Sequence, residues 1–172
     1  MRRPEPSEIA SYFHGYISLV PDGDLLATFR RQRDDTAALL AKLSPQQAAH
    51  RYAEGKWTVA EVFGHLADSE RVMVYRALRF ARGDQTPLPG FDENAWVAGA
   101  NFARRPLADI AKELRSVRDA TLSFFAGLDE AAAVRKGTAN QNPMSVRGLA
   151  WVIAGHELHH RKVLRERYGI AG

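Results

Sequence analysis

The stretch PLADIAKELRSVRDATLSFFAGL, residues 106–128, decides the fold class. Leu107, Ile110, Leu114, Val117, Thr121, Phe124 and Leu128 recur at alternating spacings of three and four. That alternation puts them on one face of a helix, as the seam along which it packs against neighbours in a bundle. Pro106 suits the first turn of such a helix, where a backbone N–H has no intrahelical acceptor to lose. Beside the seam, Lys112-Glu113 and Arg118-Asp119 read as a solvated face laced with ion pairs.

Outward from this helix, the same logic finds three more. Downstream, residues 137–143 read as a polar loop, and Ser145 caps a last helix that runs to about Tyr168 and stops at Gly169. Upstream, Pro87 and Pro89 break the chain between residues 84 and 91, and a short helix follows over about 92–99. Before that, Thr58-Val59-Ala60-Glu61 has the form of a capping box and opens a helix that meets no breaker until Gly83. A first long helix spans about Asp24 to Leu43, with Leu25, Leu26, Phe29, Ala37, Leu40 and Leu43 on its apolar face, and Ser44-Pro45 ends it. The segment from Ile9 to Val20, rich in Tyr12, Phe13 and Tyr16, has no clean period and reads as an arm packed on the bundle. Four long helices and no alternating strand predict an all-α four-helix bundle. The expected organisation is one domain over residues 1–172, with an arm at 1–21 and the bundle at 22–172.

Composition narrows the function classes. Of 172 residues, 45% are hydrophobic and 26% charged, an ordinary balance for a folded globular chain. No window approaches the roughly 18 apolar residues of a membrane span, and Met1-Arg2-Arg3-Pro4 is followed by no apolar signal core, so the expected location is the cytoplasm. Without cysteine there is no disulfide, thiolate metal site or cysteine nucleophile, and any thiol chemistry needs an external thiol. The net charge of +4 comes from 24 basic and 20 acidic residues interleaved along the chain. There is no basic run or arm, which argues against a nucleic-acid partner.

The histidines carry the chemistry. His14, His50 and His65 stand apart, whereas His156, His159 and His160 crowd the last helix. Leu149, Ile153, His156, His160 and Leu164 share one stripe there, so two imidazoles sit one turn apart within an apolar seam. Side chains four apart on a helix are about 5–6 Å apart at Cβ, close enough to converge on one ion. The alternative is a hydrogen-bonded core histidine beside a surface one. The string His156-Glu157-Leu158-His159-His160 also matches the zinc-protease pattern H-E-x-x-H. Against a protease, Val163 occupies the place of the turn glycine and Glu166 is a poor third ligand. His65 lies on the flank of its helix, and the sequence by itself does not bring it to His156.

Lys56-Trp57-Thr58-Val59-Ala60-Glu61-Val62, then His65-Leu66-Ala67-Asp68-Ser69-Glu70, and finally Gly155-His156-Glu157-Leu158-His159-His160 together resemble the DinB-like superfamily of damage-inducible proteins and metal-dependent hydrolases, which includes a bacillithiol-transferase branch. The resemblance runs from about Asp22 to Tyr168. It implies an up-down-down-up bundle, often a homodimer, in which three histidines hold a divalent metal. By position these are His65, His156 and His160, with His159 beside them as a rival to His160.

Three neutral imidazoles leave the ion its full charge and an open position, the pattern of a catalytic site. Zinc and nickel both suit such ligands. The expected activity on a small-molecule substrate is then hydrolysis by metal-activated water, or transfer of a low-molecular-weight thiol activated by the ion. The alternative is a stress-induced binding or scaffold protein with a structural metal. Glu70 falls on the stripe of Phe63, Leu66, Met73, Val74 and Ala77, so it is expected to be buried. It serves either as a base or partner for a ligand histidine, or as one half of an ion pair with an arginine such as Arg161. Asp68 reads as a surface charge, Glu157 as pointing away from the metal, and Trp57 and Trp151 as core.

Overall fold

The computed structural model describes residues 1–171. After two short 3₁₀ turns the elements are α1 (His14–Ile17), α2 (Leu25–Lys42), α3 (Pro45–Ala49), α4 (Val59–Ala81), α5 (Glu93–Ala100), α6 (Leu107–Ala126) and α7 (Glu130–Ala133). A hairpin of β1 (Lys136–Ala139) and β2 (Asn142–Ser145) leads into α8 (Val146–Tyr168). Three of the four long helices start on a side chain that satisfies free backbone donors. Asp24 accepts from the Leu26 N–H, and Ser145 accepts from that of Gly148. Thr58 and Glu61 form the reciprocal box, Thr58 N–H donating to the Glu61 carboxylate and Glu61 N–H to the Thr58 hydroxyl. Gly169, at φ 68°, ends α8 in the left-handed region.

Side-chain pairs report the helix directions. Phe29 meets Phe125 and Arg33 meets Asp119, so α2 and α6 run antiparallel. Trp57 meets Tyr168 while His65 meets His156, so α4 and α8 are antiparallel as well. Gln32 and Thr36 reach Ala154 and Glu157 in order, which makes α2 and α8 parallel. The result is the up-down-down-up four-helix bundle. Among the described residues no helix is long and apolar enough to cross a membrane.

Residues 137–143 are not a loop. β1 and β2 pair antiparallel from Lys136↔Ser145 to Ala139↔Asn142. Asn140 and Gln141 take φ 49° and 63° at the turn, as a two-residue type I′ connection requires. The turn carries Asn-Gln where Asn-Gly is the usual signal, and the strands are too short and polar to show alternation. Gly137 lies under the Phe80 ring, which occupies the space a Cβ would take, so the hairpin docks on α4 through a missing side chain. Leu88 adds a bridge to this hairpin, its N–H donating to Thr138 O and its carbonyl accepting from Asn140 N–H.

The core is divided. One apolar cluster holds Leu25, Phe29, Phe80, Phe125, Leu149 and Trp151, and the other Leu39, Phe63, Leu66, Ile110 and Leu164. Between them on each long helix stand buried polar residues: Gln32 and Thr36 on α2, Ser69 and Glu70 on α4, Arg118 on α6, Glu157 on α8. Arg118, expected on a solvated face, is only 4% exposed. It sits one position past the seam residue Val117, and its long side chain turns inward because two carboxylates await it there. Its Nε and Nη2 donate to the two oxygens of Glu70 at 2.8 and 2.7 Å. Nη2 also donates to Glu157 at 2.8 Å, and Nη1 to Gln32 Oε1 at 3.2 Å. The Thr36 hydroxyl donates to the other oxygen of Glu157.

The N-terminal residues are tied to α8 and its neighbours. Arg3 donates to Ile17 O and Val20 O and lies 4.3 Å over the Trp151 ring. Arg147 on α8 donates through Nε and Nη2 to the Glu8 carboxylate, which holds the Glu8 pKa down at about 2, from an ordinary 4.5. Because the folded value lies below the unfolded one, the stabilisation is complete above about pH 4.5 and is lost as pH falls toward 2. Glu8→Gln is therefore expected to lower the urea midpoint at pH 7, with the gap to wild type closing between pH 4.5 and 2. A gap that stays constant over that range would show that Glu8 acts through packing alone.

Candidate metal centre

His65 projects from α4, and His156 and His160 from successive turns of α8. The antiparallel contact of these helices brings the three rings together, with centroids 5.0, 5.0 and 4.5 Å apart. His156 Nε2 lies 3.2 Å from His65 Nε2 and 3.1 Å from His160 Nε2, and one nitrogen from each ring fits within 4.8 Å of the others. His159, the rival on α8, is not in that group; its ring lies edge-on to Tyr16.

Burial pushes the three imidazoles toward their neutral form. His65 is lowered to about 4, the Glu93 charge opposing the effect, and His160 to about 3, with the neighbouring His65 and His159 adding to it. His156 is lowered further by burial and then by the surrounding histidines. Neutral rings leave lone pairs, and here the contacts are too many for hydrogen bonding. A single ring nitrogen has one proton or one lone pair, so His156 Nε2 serves one close neighbour well and not two. A cation bonded at about 2.0–2.1 Å to each nitrogen in tetrahedral array would separate them by roughly 3.3 Å. The two short contacts fit that spacing, and the donor set fits a borderline-soft divalent ion.

The surroundings hold the rings in place. The Trp57 ring lies 4.7 Å from that of His65 and stacks at 6.5 Å on that of His160. It is half-buried at the cavity wall, unlike Trp151, which is in the core as expected. The position of Trp57 before the α4 N-cap explains the difference, since a residue outside the helix is not bound by its face. The Ser69 hydroxyl stands 3.3 Å from His65 Nδ1. Tyr16 packs edge-on against His156. Its approach depends on Gly155, where a Cβ would overlap the Tyr16 carbonyl oxygen, a backbone atom that cannot step aside alone. Gly155→Ala is expected to displace α1 and cost about 1–3 kcal/mol. Limited proteolysis would read it as faster cleavage before Pro21, and an unchanged cleavage rate would sink the prediction.

Glu70 is buried as expected, but its arginine partner is Arg118; Arg161 pairs instead with Asp35. Both Glu70 oxygens accept from that guanidinium, and Glu70 is not among the residues lining the cavity beside the histidines. Glu157 is held by the same arginine and by Thr36. Asp68 is partly exposed beside Arg71.

The histidines open on a cavity of about 450 Å³. Its walls include residues that sequence periodicity missed: Tyr12 and Tyr16 from the N-terminal segment, Asn142 from the hairpin, and Arg76 from α4. For Tyr16 the signal was Gly155, a glycine beside a histidine in the middle of a long helix.

Residues 28–164 match the family model of the DinB superfamily. A protein of Oceanobacillus iheyensis named "Putative metal-dependent hydrolase" is 28% identical over 120 residues, covering 69% of this chain and 68% of its own. One of the same description from Geobacillus kaustophilus is 27% identical over 151 residues, 84% of each chain. In three dimensions the chain is similar to YfiT from Bacillus subtilis, described as "a probable metal-dependent hydrolase with an unusual four-helix bundle topology", with a TM-score of 0.71 at 19% identity over 99% of this chain and 95% of that one.

Proposed function

Because the chain belongs to the DinB superfamily, we propose that His65, His156 and His160 hold one divalent ion, zinc or nickel, and that the protein is a metal-dependent hydrolase of a small-molecule substrate. The observation that carries this reading is His156 Nε2, set 3.1–3.2 Å from two other ring nitrogens, only one of which it can hydrogen-bond. Bound by three neutral ligands, such an ion supplies Lewis acidity and brings the pKa of water toward about 7.

The chain's own residues do the rest. Burial keeps the imidazoles unprotonated at neutral pH, so no proton has to leave before the ion enters. Ser69 restrains the His65 ring, and Trp57 and Tyr16 pack against the His160 and His156 rings at the cavity wall. Behind the site, Arg118 with Glu70 and Glu157 makes a buried unit of one positive and two negative charges, which favours a cation nearby. Glu93, the carboxylate among the cavity-lining residues, is the candidate in this reading to accept a proton from water.

Elemental analysis of untagged protein tests the reading. Wild type is expected to carry about one equivalent of metal, and His65→Ala and His160→Ala to carry none. Ester and amide turnover should follow metal content and be indifferent to added thiol. No uptake by wild type from excess ion would overturn the metal site, and turnover that depends on an added thiol would replace hydrolysis with thiol transfer.

A further inference from the structure

Arg76 lines the same cavity, on α4 eleven residues beyond His65. It is only 4% exposed, as buried as Arg118. The two arginines differ in what surrounds them. Arg118 is met by two carboxylates, whereas among the described residues no carboxylate lies within ion-pair distance of Arg76. Among the described residues its one hydrogen bond runs from Nη2 to the Pro89 carbonyl at 2.8 Å, with the guanidinium 5.9 Å from the centre of the Phe91 ring. One of five N–H donors is used. Burial with no counter-charge lowers its pKa, yet an arginine side chain stays protonated in proteins. The fold therefore keeps a cation with no protein counter-charge at the wall of a cavity, where its unused donors are free to meet an anion.

We propose that Arg76 anchors the substrate by binding an oxyanion, carboxylate or phosphate, that the substrate carries at the end remote from the histidines. This rests on the hydrolase reading for the word substrate, though the anion site stands on Arg76 and the cavity alone. Eleven helical residues span about 16 Å between Cα atoms, and the side chain leans back toward the helix N-terminus, so both ends lie within a small molecule's length. The planar fork of donors suits bidentate binding, which a lysine does not reproduce. The site thus selects small molecules with a reactive group at one end and an oxyanion at the other.

The test uses full-length, metal-stripped protein, so that its outcome does not depend on the metal. Succinate and inorganic phosphate are titrated separately while the Arg76 Nε–H resonance is followed by NMR, assigned by its absence in Arg76→Lys. Saturable movement of that resonance is expected, with whichever anion binds more tightly naming the class. Isothermal titration calorimetry, which needs no arginine resonance, should show Arg76→Lys binding about tenfold or more weakly than wild type, and Arg76→Met not at all. Arg76 also holds Pro89, so Arg76→Met is at risk of misfolding; the wild-type resonance and Arg76→Lys then decide. No movement at high concentrations of either anion, or equal binding by wild type and Arg76→Lys, would overturn the proposal. Zinc uptake is measured on the same samples: zinc without anion binding sinks the anchor alone, and anion binding without zinc sinks the metal reading alone.

Discussion

Replacing Arg118 with methionine is expected to cost the fold about 3–5 kcal/mol, the range found when one partner of a buried ion pair is removed. The guanidinium is the sole cation for two carboxylates in the middle of the bundle, and it touches three other helices at once through Gln32, Glu70 and Glu157. Methionine fills much of the volume and leaves Glu70 and Glu157 side by side with no counter-charge. A triple variant that also carries Glu70→Gln and Glu157→Gln should recover most of the loss, because neutral amides can be left with partial hydrogen bonding at far lower cost. Urea unfolding of wild type, single and triple variants measures both effects. A single variant within about 1 kcal/mol of wild type would mean that Arg118 is solvated after all.

The second large effect is conditional on metal. With zinc at a thousand times its dissociation constant, binding to the folded state alone adds about 4 kcal/mol of stability. His156→Leu should abolish that increment, since His156 Nε2 is the atom close to both other ring nitrogens. In the stripped protein the same substitution is expected to be neutral or mildly stabilising, because it exchanges a buried imidazole with a poorly shared hydrogen bond for an apolar side chain one turn from Ile153. Thermal unfolding of both proteins in zinc and in chelator separates the two cases. A zinc-dependent rise that survives in His156→Leu would place the ion elsewhere.

How much of this was legible in the sequence varies with the physics involved. Helices announce themselves by period and cap, so Asp24, Thr58 and Ser145 marked the starts of α2, α4 and α8 directly. His156 and His160 were legible as a pair because both lie on one helix, whereas His65 needed the family resemblance, since periodicity carries no information about which helices face each other. Arg118 was misread for the same reason. An arginine next to an aspartate looks solvated until the carboxylates of two other helices are known to converge on it. The hairpin and the cavity wall from Tyr12 to Tyr16 were illegible because short elements have too few residues to establish a period.

The polar layer between the two apolar clusters also answers a question that apolar packing leaves open, namely how far along one another the helices sit. A slide of one turn, about 5.4 Å, still sets apolar residues against apolar residues along such faces. The same slide of α8 along α4 would part Glu157 from Arg118 and both His156 and His160 from His65. The bundle's register is therefore set at its waist, by groups that lose their partners in every alignment but one. Either apolar end can then be repacked by mutation without letting the helices slip, and the metal centre keeps its geometry while the ends of the bundle change.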